Sequence, residues 1–93
     1  MRTSNPAITY EDRGGDSPET AIIIHGAPSG AAGVHAEYEY LERKFGPRNV
    51  KWVPIRQKVF GSTERRWDMI IIGLSDGSQK KIYFDITEFF GKR

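Results

Sequence analysis

Two runs of strand-forming residues, RWDMIIIGL (66–74) and QKKIYFDI (79–86), are separated only by the short segment SDGS. Asp76 and Gly77 both tolerate positive φ, and such a dipeptide between two strand-like runs is a strong hairpin signal. A tight turn fixes the register, and the register decides which side chains share a face. A two-residue turn puts Asp68 opposite Asp85 and gathers Trp67, Met69, Ile71, Ile82, Phe84 and Ile86 on one apolar face for a helix to cover. Ile70, Ile72, Leu74, Lys81, Tyr83 and both aspartates then lie on the other. A three-residue turn with Gly77 as a bulge sets Asp68 beside Phe84 and sends the aspartates to opposite faces. Both registers are open at this level.

Upstream, TAIIIH (20–25) is a short continuous apolar run, the mark of a strand covered on both faces. A glycine-containing turn leads from it into a helix, with Ser29 as a candidate cap. Val34, Tyr38, Leu41 and Phe45 recur at helical spacing and form the expected buried stripe, leaving Glu37, Glu39, Glu42 and Arg43 on other faces. The sequence FGP stops the helix. VKWVPIRQKVF (50–60) reads as a third strand, at an edge or bulged, because Pro54 has no amide for a ladder bond. At the end of the chain Thr87 can cap one helical turn that folds Phe89 and Phe90 over the core. The predicted fold class is α+β: one main helix packed on a mostly antiparallel sheet, in the order β-α-β-β-β, with a short C-terminal helical turn. Residues 1–19, broken by Pro6, Gly14, Gly15 and Pro18, read as a loose arm with one possible edge strand from Ala7 to Glu11, and residues 20–93 as the single domain.

The chain has 93 residues, enough for one core. It has no cysteine, which excludes disulfides, thiol nucleophiles and cysteine-ligated metal sites. No apolar run has the length of a membrane span, and the first residues lack the apolar core of a signal peptide, so a soluble, cytoplasmic protein is expected, with no membrane partner. The net charge is only +2, but it is unevenly spread: residues 1–49 carry five Lys or Arg against seven acids, residues 50–93 nine against five. An anionic partner would therefore meet the second half of the chain.

Gly26, Gly30 and Gly33 match neither the dinucleotide fingerprint nor the P-loop, and the turn holds no Lys or Arg for a phosphate. His35 and Glu37 are spaced as in zinc deaminases, but the paired cysteines such a site needs are absent. His25, His35 and Glu37 are the makings of a two-histidine, one-carboxylate iron site, though nothing in their spacing forces them together.

The segments GAAGVHAEYEYLERKFG and RRWDMIIIGLSDGSQKKIYFDIT together resemble the core of restriction-endonuclease-like nucleases. There a helix bearing a Glu precedes three strands, the second beginning with Asp and the third ending in Glu/Asp-x-Lys. The resemblance implies Glu37, Asp68 and Asp85 as catalytic residues at the metal-ligand positions, Asp68 and Asp85 foremost. They would hold a Mg²⁺ ion that activates water for phosphodiester hydrolysis. Thr87 stands where that family has its lysine.

The alternative, and the leading expectation, is a binding module without catalysis or cofactor. Trp52, Arg56 and Lys58 on one strand mix an aromatic with cations, as single-strand nucleic-acid binders do, and Lys81 adds a further cation. A sheet with one helix also leaves a half-apolar second face, open to a protein partner or to self-association.

Overall fold

The structure is a computed structural model and describes residues 8–92. Five strands, β1 (Thr9–Glu11), β2 (Ile22–His25), β3 (Trp52–Gly61), β4 (Arg66–Leu74) and β5 (Gln79–Asp85), form one sheet in the order β1-β2-β5-β4-β3. Only β2 and β5 run parallel; the other neighbours are antiparallel. Helix α1 (Gly30–Phe45) crosses from β2 to β3 and covers one face, which makes the architecture α+β, as the sequence pattern predicts. No helix among the described residues is long and apolar enough to cross a membrane.

The hairpin takes the three-residue turn. Gly77, at φ 91°, donates its N–H to the Leu74 carbonyl at 2.9 Å, and Leu74 donates to the Ser78 carbonyl at 2.8 Å. Asp76 Oδ1 accepts from both the backbone N–H and the hydroxyl of Ser78, which holds the bulge shut. Asp68 consequently lies opposite Phe84, and Trp67 opposite Asp85. The face covered by α1 carries Ile70, Ile72, Ile82 and Phe84, while Trp67, Met69 and Ile71 lie on the open face. This corrects the grouping that follows from a two-residue turn.

The buried stripe of α1 is also displaced from expectation. It consists of Gly33, Ala36, Glu37, Tyr40 and Leu41, whereas Val34 is 44% exposed. The cause is close approach. Any side chain at Gly33 would collide with the Phe89 ring, so this glycine marks the inner face of the helix and Val34 turns outward. Phe89 thus closes the core as expected, while Phe90 remains 47% exposed under the Arg66 guanidinium. Thr87 caps no helix: its hydroxyl donates to Asp85 Oδ1 and accepts from the Arg66 N–H.

The strand containing Pro54 is both an edge strand and bulged, with the register shifting between Pro54 and Arg56. The extra residue puts Trp52 on the covered side, where it is 2% exposed and donates Nε1–H to the Gly46 carbonyl at 2.7 Å. Of the segment read as a loose arm, residues 1–7 lie outside the described residues. From residue 8 onward it is tied to the fold. β1 pairs with β2, Gly15 accepts the Tyr83 N–H at 2.8 Å, and the Tyr10 hydroxyl donates to the Ala36 carbonyl.

Candidate functional site

The sheet face away from α1 is ordered by the bulge in β3. Beyond it Arg56, Lys58 and Phe60 pair with Ile71, Met69 and Trp67, which in turn pair with Lys81, Tyr83 and Asp85 of β5. Three rows therefore cross the three strands: Arg56, Ile71, Lys81; Lys58, Met69, Tyr83; and Phe60, Trp67, Asp85. Arg56, Lys58 and Lys81 take three of the six flanking positions, Phe60, Tyr83 and Asp85 the other three, and Ile71, Met69 and Trp67 the middle. A groove of about 550 Å³ is lined by Arg56, Lys58, Phe60, Met69, Lys81 and Tyr83, among others, and that volume falls within the range typical of ligand sites.

The aromatic residues form one cluster. Phe60 stacks on Trp67, with centroids 5.5 Å apart and planes 24° from parallel, and meets Tyr83 edge-on at 6.2 Å. The Arg65 guanidinium lies 5.5 Å from the centre of the Trp67 ring. Asp85 is the carboxylate of these rows, and it is spent internally. It is 4% exposed, takes a 2.6 Å ion pair from Arg65, and accepts both the N–H and the hydroxyl of Thr87. Burial pushes its pKa upward, but the hydrogen bonds from Thr87 and Arg65 outweigh burial and hold it below the usual carboxylate range. What the rows present to solvent is therefore positive.

Of the binding residues expected from the sequence, Arg56, Lys58 and Lys81 come together on this face. Trp52 does not. It belongs to the core, and the idea of a strand surface carrying Trp52 beside Arg56 and Lys58 is corrected by the bulge that re-phases the strand. Phe60, Met69 and Tyr83 complete the groove, and the sequence pattern alone does not pick them out as binding residues. Their signal lies in the alternation of β3 and β5, which becomes readable only once the hairpin register is known.

A second constellation lies under the helix. Glu37 is wholly buried, Asp68 is 2% exposed, and Gln57 Nε2 donates to Asp68 Oδ2 at 2.6 Å. Neither Glu37 oxygen nor Asp68 Oδ1 meets a donor from any other group. Two facing carboxylates can be satisfied only by sharing a proton. Burial, and then the neighbouring Asp68, pushes the Glu37 pKa up to about 10. Burial also raises Asp68, against hydrogen bonds from Glu37 and Gln57 that lower it. At neutral pH the Glu37 carboxyl is thus a neutral acid that donates to Asp68.

The three acids implied by the nuclease resemblance are divided by this geometry. Glu37 and Asp68 meet beneath the helix, and Asp85 lies on the opposite face with Arg65. Asp68 and Asp85 therefore share no cation-sized space, and no group of three or more His, Asp or Glu side chains among the described residues is placed to hold a metal ion. Glu37 also leaves the company of the histidines, since His35 is exposed on the outer side of α1 and His25 lies between Glu11 and Glu88. The glycine-rich turn spends its amides internally: Gly30 donates to the Lys92 carbonyl, Ala32 to Ser29 Oγ and Gly33 to the Ser29 carbonyl. No family model, curated protein or solved structure matches this chain.

Proposed function

We propose that this domain binds single-stranded nucleic acid on its open sheet face, with no catalysis of its own. One observation carries the reading: the rows through β3, β4 and β5 set Arg56, Lys58 and Lys81 around an aromatic and apolar centre whose carboxylate, Asp85, is already neutralised. Phosphates seek separated cations, and unpaired bases seek ring faces on which to stack. A duplex shields its bases and would use only half of this surface. A protein partner would need an apolar patch for the centre together with carboxylates placed for all three cations.

The test is fluorescence anisotropy of labelled single-stranded and double-stranded oligonucleotides across a salt series, with heparin as an anion that has no bases. Binding should favour the single strand, weaken steeply with salt and change the fluorescence of Trp67. Heparin binding as tight as the oligonucleotide would reduce the surface to a general cation patch. Absent retention at low salt would overturn the reading and leave a protein partner or a second copy of the chain as the occupant.

A further inference from the structure

His25, the last residue of β2, stands between two carboxylates from different parts of the fold. Its Nε2 lies 3.2 Å from Glu11 Oε1 on β1, and its Nδ1 lies 3.0 Å from Glu88 Oε2 in the C-terminal turn. The other Glu88 oxygen accepts the Gly26 N–H. Glu11 and Glu88 are the charged groups that face the ring, with Lys92 acting on Glu88.

A neutral imidazole has one N–H and one lone pair. It can donate to one of these carboxylates, but its lone pair then points at the other. Only the imidazolium satisfies both, so the arrangement specifies the charged form. What it holds is substantial: the turn beyond Glu88 carries Phe89, which is buried against Gly33, and Lys92, whose carbonyl accepts the first amide of α1 at 2.9 Å.

We propose that His25 is a pH-operated clasp, closed as the imidazolium, which fastens the C-terminal turn and the edge strand β1 to the end of β2. Losing its proton leaves the ring only one of its two hydrogen bonds, which weakens the clasp, loosens the turn and begins to uncover the crevice that Phe89 fills. The sign is set by the two ends of the clasp. Hydrogen bonds that the His25 ring donates to the Glu88 and Glu11 carboxylates raise its pKa, so its contribution is complete below the ordinary histidine value and is lost as pH rises through the raised one. Glu88 is lowered, first by the Gly26 N–H and then by His25, so its contribution is lost only as pH falls through that lowered value. The clasp is closed in the window between the lowered Glu88 value and the raised His25 value.

The test is residue-resolved hydrogen exchange on the whole chain, with rates converted to protection factors at each pH, alongside an NMR titration of the His25 ring. The reporting amides are Gly30, Phe90 and Lys92, which donate to Lys92, Ile86 and Phe89 carbonyls. Their protection should fall about three- to fivefold as His25 loses its proton, the scale of one or two exposed ion pairs. In His25→Gln the pH profile should be flat. In Glu11→Gln, which keeps the Glu88 side of the clasp, the His25 midpoint and the fall in protection should move together to lower pH. A flat profile in the parent chain would overturn the clasp. So would an unchanged fall in His25→Gln, or a His25 midpoint unmoved by Glu11→Gln.

Discussion

Glu37 on α1 and Asp68 on β4 bury their carboxyls against each other between helix and sheet, where Gln57 of the edge strand is the one further donor. In a chain of this size such a pair costs stability unless it keeps a proton. Glu37 holds that proton to about pH 10, whereas its ordinary value is 4.5.

The pair makes stability depend on pH with a definite sign. Between those two values the folded chain binds a proton that the unfolded chain releases, so the pair's contribution is complete below the ordinary glutamate value and declines as pH rises. Glu37→Gln supplies a permanent donor to Asp68 and removes this dependence. The variant should gain about 1–3 kcal/mol over the parent near pH 8, and less than about 1 kcal/mol near pH 5, by urea denaturation. Parallel pH curves for the two proteins would show that the pair does not retain its proton.

Gly77 makes the register. Nothing lies within 4 Å of a Cβ added there, and its φ is +91°, so Gly77→Ala meets only conformational strain. It should cost about 1–2 kcal/mol while Asp68 stays opposite Phe84. Denaturation gives the cost, and cross-strand nuclear Overhauser effects give the register. An unchanged midpoint would mean that the left-handed turn is not what selects the pairing.

Charge and stacking on the open face separate in the salt response. Lys58→Glu or Lys81→Glu should weaken single-strand binding and reduce the slope of log affinity against log salt by about 0.7 for each phosphate no longer neutralised. Tyr83→Ala should cost about 1–3 kcal/mol of binding with the slope unchanged. Arg48→Glu is the control, because Arg48 lies over Tyr38 on the helix side, 4.8 Å from the centre of that ring. Equal weakening by Arg48→Glu and Lys81→Glu would assign binding to overall charge rather than to this face.

Asp85 and Asp68 should respond independently to divalent cations. Millimolar Mg²⁺ or Mn²⁺ should produce no concerted amide shifts at Glu37, Asp68 and Asp85, since Asp85 is paired with Arg65 across the sheet from the other two. Concerted movement of all three would restore the hydrolytic reading and require the strands to re-pair.

Asp85 also contributes to acid stability. Its pKa is lowered on balance by Thr87 and Arg65, so its contribution is present above the ordinary aspartate value and lost as pH falls through the lowered one. Arg65→Ala should lower stability at neutral pH and at pH 9 alike, by less than about 1 kcal/mol because Arg65 is half exposed and the pair is screened, and the difference from the parent should vanish as pH falls through the Asp85 value. Urea denaturation followed by circular dichroism at each pH reads this directly.

Local chemistry written in the chain was enough for the elements themselves. β-branched runs made strands, Ser29 capped a helix that ended at Gly46, Asp76-Gly77 turned a hairpin, and Pro54 marked an edge strand with a bulge. The excess of cations lies in the second half, and Arg56, Lys58 and Lys81 share one face of its strands. Phase was decided elsewhere. One bulge residue in the turn chose which face of β4 meets the helix, a second in β3 sent Trp52 inward, and the packing of Gly33 against Phe89 rotated the helix so that Glu37 rather than Val34 points into the core. Periodicity specifies that alternate residues share a face but not which face is covered. A choice of one residue in a turn, or of tens of degrees about a helix axis, is made by whichever arrangement packs, and packing involves residues far apart in the chain.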